Sequence, residues 1–431
     1  MKTAHKFFFS FVILALSALI TVCQSPVADK DKGDLEKLPK IEHFRKAKKH
    51  QIQAEYLPPP FASVSVRNSS KLIEQPENAT LRMPNGFKIN VYAEGEFTYP
   101  RWMALAPNGD VFVADSRANS VVILRDSDKD GKADQRFVWS DKLSQPFGMA
   151  FWKDWFYVAN TDSVVRFKYT TGQTEAVGTP EKIIELTEGG YRQHWTRNII
   201  FSPDGKKLYV SIGSSGNYLP ETDERRAAIN VYNPDGSGHK VFAGGLRNPI
   251  GLAFNPKNGE LWTAVNERDL LGNDLVPDFV TSVKEGAFYG YPYSYIGKNP
   301  EPRLNGARPD LIAKAIVPDV LVTSHSAALG IVFNNGKMFP ERYRGDAFVA
   351  LHGSWNREKL TGYKIIRVDF DEGGNLRGSG YEDFITGWLP SEDSREVWGR
   401  PVGLLMLEDG SMLITDDGAK KIWRVSYQKG Q

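Results

Sequence analysis

From residue 85 onward the chain alternates short apolar runs with polar, glycine-bearing turns, and helical periodicity is scarce. One unit recurs: a polar residue, an apolar run, a turn, a second apolar run and a polar loop. It appears as YPRWMALAPNGDVFVADS from Tyr99, PFGMAFWKDWFYVANT from Pro146 and HWTRNIIFSPDGKKLYVSIG from His194. It returns as RNPIGLAFNPKNGELWTAVN from Arg247, HSAALGIVFNNGKMFPERYRGDAFVALHGSW from His325 and RPVGLLMLEDGSMLITDDG from Arg400. Turn pairs such as Asn108-Gly109, Asp204-Gly205 and Asp409-Gly410 supply the positive φ of a tight hairpin, so each copy predicts two antiparallel strands.

Further apolar runs follow most copies: SVVILRD (Ser120–Asp126), SVVRFKY (Ser163–Tyr169), YKIIRVDF (Tyr363–Phe370) and KIWRVSY (Lys421–Tyr427). They read as third and fourth strands. Copy starts lie roughly 45–75 residues apart, which predicts an all-β fold, a six-bladed β-propeller with four-stranded antiparallel blades. The early run GFKINVYAEG (Gly86–Gly95) is expected to join the last blade and close the ring. A β-sandwich or barrel is the competing architecture, but neither needs a recurring unit.

A length of 431 residues fits one propeller over residues 61–431. The formal net charge of +2, with both signs interspersed, gives no case for nucleic acid. The amino terminus changes the picture more. Lys2 and Lys6 precede FFFSFVILALSALI, and Cys23 follows, so residues 1–23 read as an export signal. Cys23 is the single cysteine, and its place resembles a bacterial lipobox, although Val22 departs from the small residue that motif prefers. The expectation is an exported, periplasmic or cell-envelope protein, lipid-anchored at Cys23, with simple cleavage and release as the alternative. Any membrane contact would come through that anchor. Residues 24–60, charged and ending in Pro58-Pro59-Pro60, read as a linker or a wrapping arm.

The chemistry-bearing residues cluster where the units begin or end. His194 precedes an inner strand, and a neutral imidazole there can take a proton from an alcohol; a structural histidine held by a carbonyl is the alternative. Arg247 and Asn248 hold the same position one unit later, where a guanidinium can bind a carboxylate or polarise a carbonyl. Arg357, Arg400 and Asp416 also sit in loops at strand ends. The run NERDLLGNDLVPD (Asn266–Asp278) gathers oxygen ligands suited to a hard cation. A second such run, RDSDKDGKAD, places Asp126, Asp128, Asp130 and Asp134 around Gly131 like the start of a calcium loop. Phe137 stands where an EF-hand has its bidentate glutamate, so that loop is incomplete. No CxxCH haem motif is present, and no GxGxxG opens a helix after a strand.

Taken in order, LPPPFASVSVRN, GFKINVYAEG, YPRWMALAPNGDVFVADS, GGLRNPIGLAF, NERDLLGNDLVPD, GYPYSYIG, HGSWNREKLTGYKIIRV and ITDDGAKKIWRVSY resemble the pyrroloquinoline quinone (PQQ)-dependent sugar dehydrogenases. The likeness is to the L-sorbosone and pyranose dehydrogenase branch, with soluble glucose dehydrogenase more distant. It implies PQQ at the axial mouth of a six-bladed propeller, with His194 as catalytic base and Arg247 and Asn248 beside the quinone oxygens. Arg400, Asp416 and, more loosely, Arg357 are implied cofactor contacts. The resemblance also implies Ca²⁺ beside PQQ, held by the backbone carbonyls of Arg268 and Asp269, with Asp274 and Tyr289 as further ligands. Where glucose enzymes carry an acidic residue, this chain has Ser214-Ser215-Gly216-Asn217, so their sugar contacts do not transfer.

The implied reaction is oxidation of a sugar, polyol or sugar aldehyde by hydride transfer to PQQ, with Arg247 and Ca²⁺ stabilising the oxygen that gains charge. Electrons would pass to a separate acceptor, a cytochrome or a quinone. Two other readings compete: a calcium-dependent propeller lactonase, and a non-catalytic surface-binding propeller.

Overall fold

The computed structural model describes Met1, residues 38–186 and residues 194–429. Cys23, the rest of the expected export signal after Met1, and residues 24–37 lie outside the described residues. Within Leu38–Gln431, six four-stranded antiparallel blades form a β-propeller. Blade 1 comprises Pro100–Leu105, Val111–Asp115, Ser120–Arg125 and Gln135–Ser140. Blade 2 comprises Met149–Trp152, Trp155–Ala159, Ser163–Lys168 and Glu181–Glu185. Blade 3 comprises Arg197–Phe201, Leu208–Ile212, Ala228–Tyr232 and Lys240–Gly244. Blade 4 comprises Pro249–Phe254, Leu261–Val265, Asp278–Ser282 and Val320–Val322. Blade 5 comprises Ala328–Phe333, Ala347–Leu351, Lys364–Val368 and Tyr381–Ile385. Blade 6 takes Pro401–Met406, Met412–Asp416 and Lys421–Tyr427 from the end of the chain. Its outermost strand is Phe87–Glu94, paired antiparallel with Lys421–Tyr427, so the ring closes as the early apolar run predicts.

Both faces of each blade are buried, which explains the near-continuous apolar strands. Alternate side chains along Val111–Asp115 enter different wedges: Phe112 and Ala114 pack against blade 2, and Val111 and Val113 against blade 6. Comparable wedges fill the other blade interfaces, as with Trp262 and Phe333 between blades 4 and 5. At the axis the blades approach backbone to backbone. A Cβ added to Gly148, Gly251, Gly330 or Gly403 would lie 2.6 Å or less from a backbone atom of the next blade's inner strand.

The segment before the blades wraps the body. Lys40–Phe44 pairs parallel with Thr80–Pro84, Lys49–His50 adds to the outer edge of blade 5, and Lys71–Leu72 pairs parallel with Glu396–Val397. Between them, Phe61 donates its amide to Leu271 O at 2.8 Å, and Ser63 Oγ accepts from the Asn273 amide at 2.8 Å. Residues 61–84 thus belong to this arm, and the blades begin at Phe87. Among the described residues no helix is long and apolar enough to cross a membrane.

Candidate active site

In an antiparallel blade the start of the first strand and the end of the second lie at the same end. The recurring unit therefore delivers its polar flanks to one mouth of the ring. His194, Arg247, Asn248, His325 and Arg400 come from the segments before inner strands. Asn266, Glu267, Asp269 and His352 come from the loops after second strands. Together with Arg67, Ser69, Asp278 and Trp355 they line a cavity of about 550 Å³.

His194 is buried, and its Nδ1 lies 2.9 Å from the Ser214 carbonyl oxygen and 3.0 Å from Ser214 Oγ. A carbonyl can only accept, so Nδ1 carries the proton and the ring's lone pair is on Nε2. Burial, reinforced by the Arg247 charge, pushes this imidazole down to about 3, so it is neutral at neutral pH. Gly213 makes the packing feasible: a Cβ there would lie 2.2 Å from Asn248 Oδ1 and 2.9 Å from His194 Cβ. Asn248 Oδ1 is itself buried without a hydrogen-bond partner.

Arg247 is held on all sides. Its Nε donates to Asn217 O at 3.1 Å, Nη1 to Glu267 O at 2.7 Å, and Nη2 to Asn217 Oδ1 at 2.8 Å. Asp269 stands 3.3 Å from Nη2 and, on its other side, 3.3 Å from His325 Nδ1. Burial works to raise the Asp269 carboxyl, but His325 and Arg247 hold it below the usual range. Burial likewise works to lower His325, yet Asp269 carries it above the ordinary imidazole value. Asp278 accepts the amides of Glu267 at 2.8 Å and Ala327 at 2.6 Å, and burial pushes it up to about 7.

On the opposite wall, Arg400 Nη2 donates to His352 Nδ1 at 3.0 Å. Guanidinium is an obligate donor, so Nδ1 accepts, and Nε2–H points at Asp417, 3.0 Å away. Arg101 completes this set through a short ion pair to Asp417. Burial and the Arg400 charge push His352 down to about 4. The wrapping arm contributes Arg67, whose guanidinium lies 5.8 Å from the Trp355 ring centre.

Several predicted site residues stand elsewhere. Asp416 ends the second strand of blade 6 and accepts the Arg400, Gly418 and Ala419 amides, a structural role that Asp115 repeats in blade 1. The carboxylate that meets the arginines is its neighbour, Asp417. Arg357 does not line the cavity; it pairs with Asp274 at 2.7 Å and donates to Asn273 O at 2.8 Å. The Asp274 side chain is 62% exposed in that pair. Tyr289 is buried, and its hydroxyl donates to Ser282 O at 2.5 Å. The Arg268 side chain is a buried clamp on Glu267, Glu301 and the Pro292 and Ser294 carbonyls. In the separate acidic loop, carboxylate oxygens of Asp126, Asp128 and Asp130 lie within 4.8 Å of one another. Asp134 turns away to the Ser127 amide and hydroxyl.

His325, His352, Asp417, Arg101 and Arg67 are additions that sequence reasoning missed. His325 had a signal, since it opens the fifth copy of the unit as His194 opens the third.

A model of the TrAA12-like family matches residues 81–302 and 310–428. An uncharacterized protein of Borreliella burgdorferi is 28% identical over 360 residues, 81% of this chain and 92% of its own length. The PQQ-dependent pyranose dehydrogenase of Coprinopsis cinerea is 24% identical over 307 residues, 55% of this chain but 40% of that longer protein. Among solved structures, the Trichoderma reesei Carbohydrate-Active Enzymes Family AA12 protein superposes with a TM-score of 0.71 at 20% identity, covering 84% of this chain and 100% of that one. The holo PQQ domain of the Coprinopsis enzyme gives 0.69 at 20% identity, covering 82% and 98%.

Proposed function

Given that the chain belongs to the TrAA12-like family, we propose that it is a PQQ-dependent oxidoreductase that oxidises a sugar, polyol or sugar aldehyde and passes the electrons to a separate acceptor. The observation that carries this reading is one neutral, buried imidazole facing a cavity walled by Arg67, Arg247 and Arg400. That donor set suits a tricarboxylate quinone. Arg400 and Arg67 would grip carboxylates, Asn248 lines the same cavity, and Arg247, whose N–H groups are already engaged, acts through its charge. When bound, PQQ supplies a two-electron acceptor. His194 takes the proton of the substrate hydroxyl at Nε2, while Ser214 fixes the ring through Nδ1. The calcium that the resemblance implies fits these residues poorly, and no step is assigned to it. Export and acylation at Cys23 complete the proposal, on the sequence signal alone.

The test adds PQQ to the purified full chain and assays sugars with an artificial electron dye. Dye reduction supports the proposal; lactone hydrolysis without PQQ would favour the hydrolase, and neither activity would favour a binding propeller. His194→Ala is expected to retain PQQ and lose turnover by about 100-fold or more. Wild-type turnover in that variant would remove His194 from the reaction.

A further inference from the structure

The calcium site that the resemblance implies takes the backbone carbonyls of Arg268 and Asp269, and the second of these is already occupied. A carbonyl oxygen has two lone-pair directions. Here one receives Asn217 Nδ2 at 2.9 Å and the other Arg303 Nη1 at 3.2 Å. Neither donor is free to leave. Asn217 Oδ1 is pinned by Arg247 at 2.8 Å and by the Asp269 amide at 2.9 Å. Arg303 is locked on the fully buried Glu301, with Nε to Oε1 at 2.5 Å and Nη2 to Oε2 at 3.0 Å.

Two of the other three expected ligands, Asp274 and Tyr289, are engaged as well. Asp274 is drawn into its pair with Arg357, the Tyr289 hydroxyl donates to Ser282 O, and the nearby Glu267 carbonyl takes Arg247. Calcium needs about six to eight oxygens. The Asp269 carboxylate already faces Arg247 and His325, each 3.3 Å away.

We propose that this chain binds its quinone cofactor without a divalent cation: Arg303 and Asn217 close the calcium position, and Arg247 supplies the positive charge there. The inference rests on the PQQ reading above. Its test is a calorimetric titration of the full-length apoprotein with PQQ, once in chelator and once in millimolar calcium, alongside elemental analysis of the complex. An Asp126→Asn/Asp128→Asn background removes any calcium held by the remote acidic loop. The expected result is a PQQ affinity that agrees within about threefold between the two buffers, with no calcium in the complex above the buffer blank.

PQQ binding at least about tenfold weaker in chelator, or one calcium per chain appearing with PQQ, would overturn the proposal while leaving the dehydrogenase reading intact. Failure to bind PQQ in either buffer would sink both. Arg303→Met uncaps the carbonyl, so its PQQ affinity is expected to fall about tenfold in chelator and recover with calcium. An Arg303→Met protein indifferent to calcium would overturn the role given to Arg303.

Discussion

His194 carries no charge at neutral pH because burial and the Arg247 guanidinium both oppose its protonation. The acid limb of kcat/KM should therefore lie below the ordinary imidazole value of 6.5, and Arg247→Met should move it upward as well as slow the reaction. Dye-coupled pH profiles check this; a wild-type limb at or above 6.5 would contradict the assignment. His352 makes a different prediction, about stability. Its pKa is about 4 when folded against 6.5 ordinarily, so as pH falls the unfolded chain takes the proton first. The stability tied to neutral His352 is full above 6.5 and drains away toward 4. His352→Gln keeps one donor and one acceptor but does not titrate. Between pH 7.5 and 5 it should be spared a loss of about 2 kcal/mol that wild type suffers, as read by chemical denaturation. At this scale the sequence was only half legible. His194, Arg247 and Arg400 stand out because the unit repeats their position. Asp417 and Arg101 do not, because 316 residues separate partners that only ring closure brings together.

Elements set how closely those side chains can approach. The loop after the second strand of blade 3 crosses the segment leading into blade 4 at Gly213, where a methyl group would strike both Asn248 and His194. Gly213→Ala should lower kcat/KM by about tenfold to a hundredfold with the thermal midpoint nearly unchanged, since the misplacement is local. Steady-state kinetics with a melting curve decide it; unchanged kinetics would mean the site tolerates the shift. Hairpins were the legible elements, because Asn-Gly and Asp-Gly turns mark them directly. The arm was not. Lys40–Phe44 and Lys49–His50 are short and charged, and they gain partners only from strands far along the chain. The fourth strand of blade 4, Val320–Val322, was hidden by an insertion holding the small sheet of Ser294–Tyr295 and Asn299–Pro300 and the turn of helix Pro309–Ile312.

For the whole molecule, the axis is a ring of backbones in contact. Gly330 shows the constraint: its Cβ would sit 2.3 Å from Val402 O, an atom of the neighbouring blade that cannot rotate aside. Gly330→Ala should cost about 1–3 kcal/mol, by the general cost of overpacking, and the loss should appear in global unfolding. Denaturation by urea checks the magnitude; wild-type stability would mean that the blades can part to admit a methyl group. The fold class was legible at this scale because six copies of one unit leave few ways to bury the twelve faces of six sheets.

Blade 6 joins Phe87–Glu94 to Lys421–Tyr427, so its sheet pairs strands made far apart in the order of synthesis. A ribosome releases the first partner more than three hundred residues before the last. Through that interval the early strand keeps an open edge, and any truncated product ending before Lys421 keeps it permanently. Synthesis of Lys421–Tyr427 is thus the event that seals the circle, and chains terminated before it should be drawn toward aggregation or degradation.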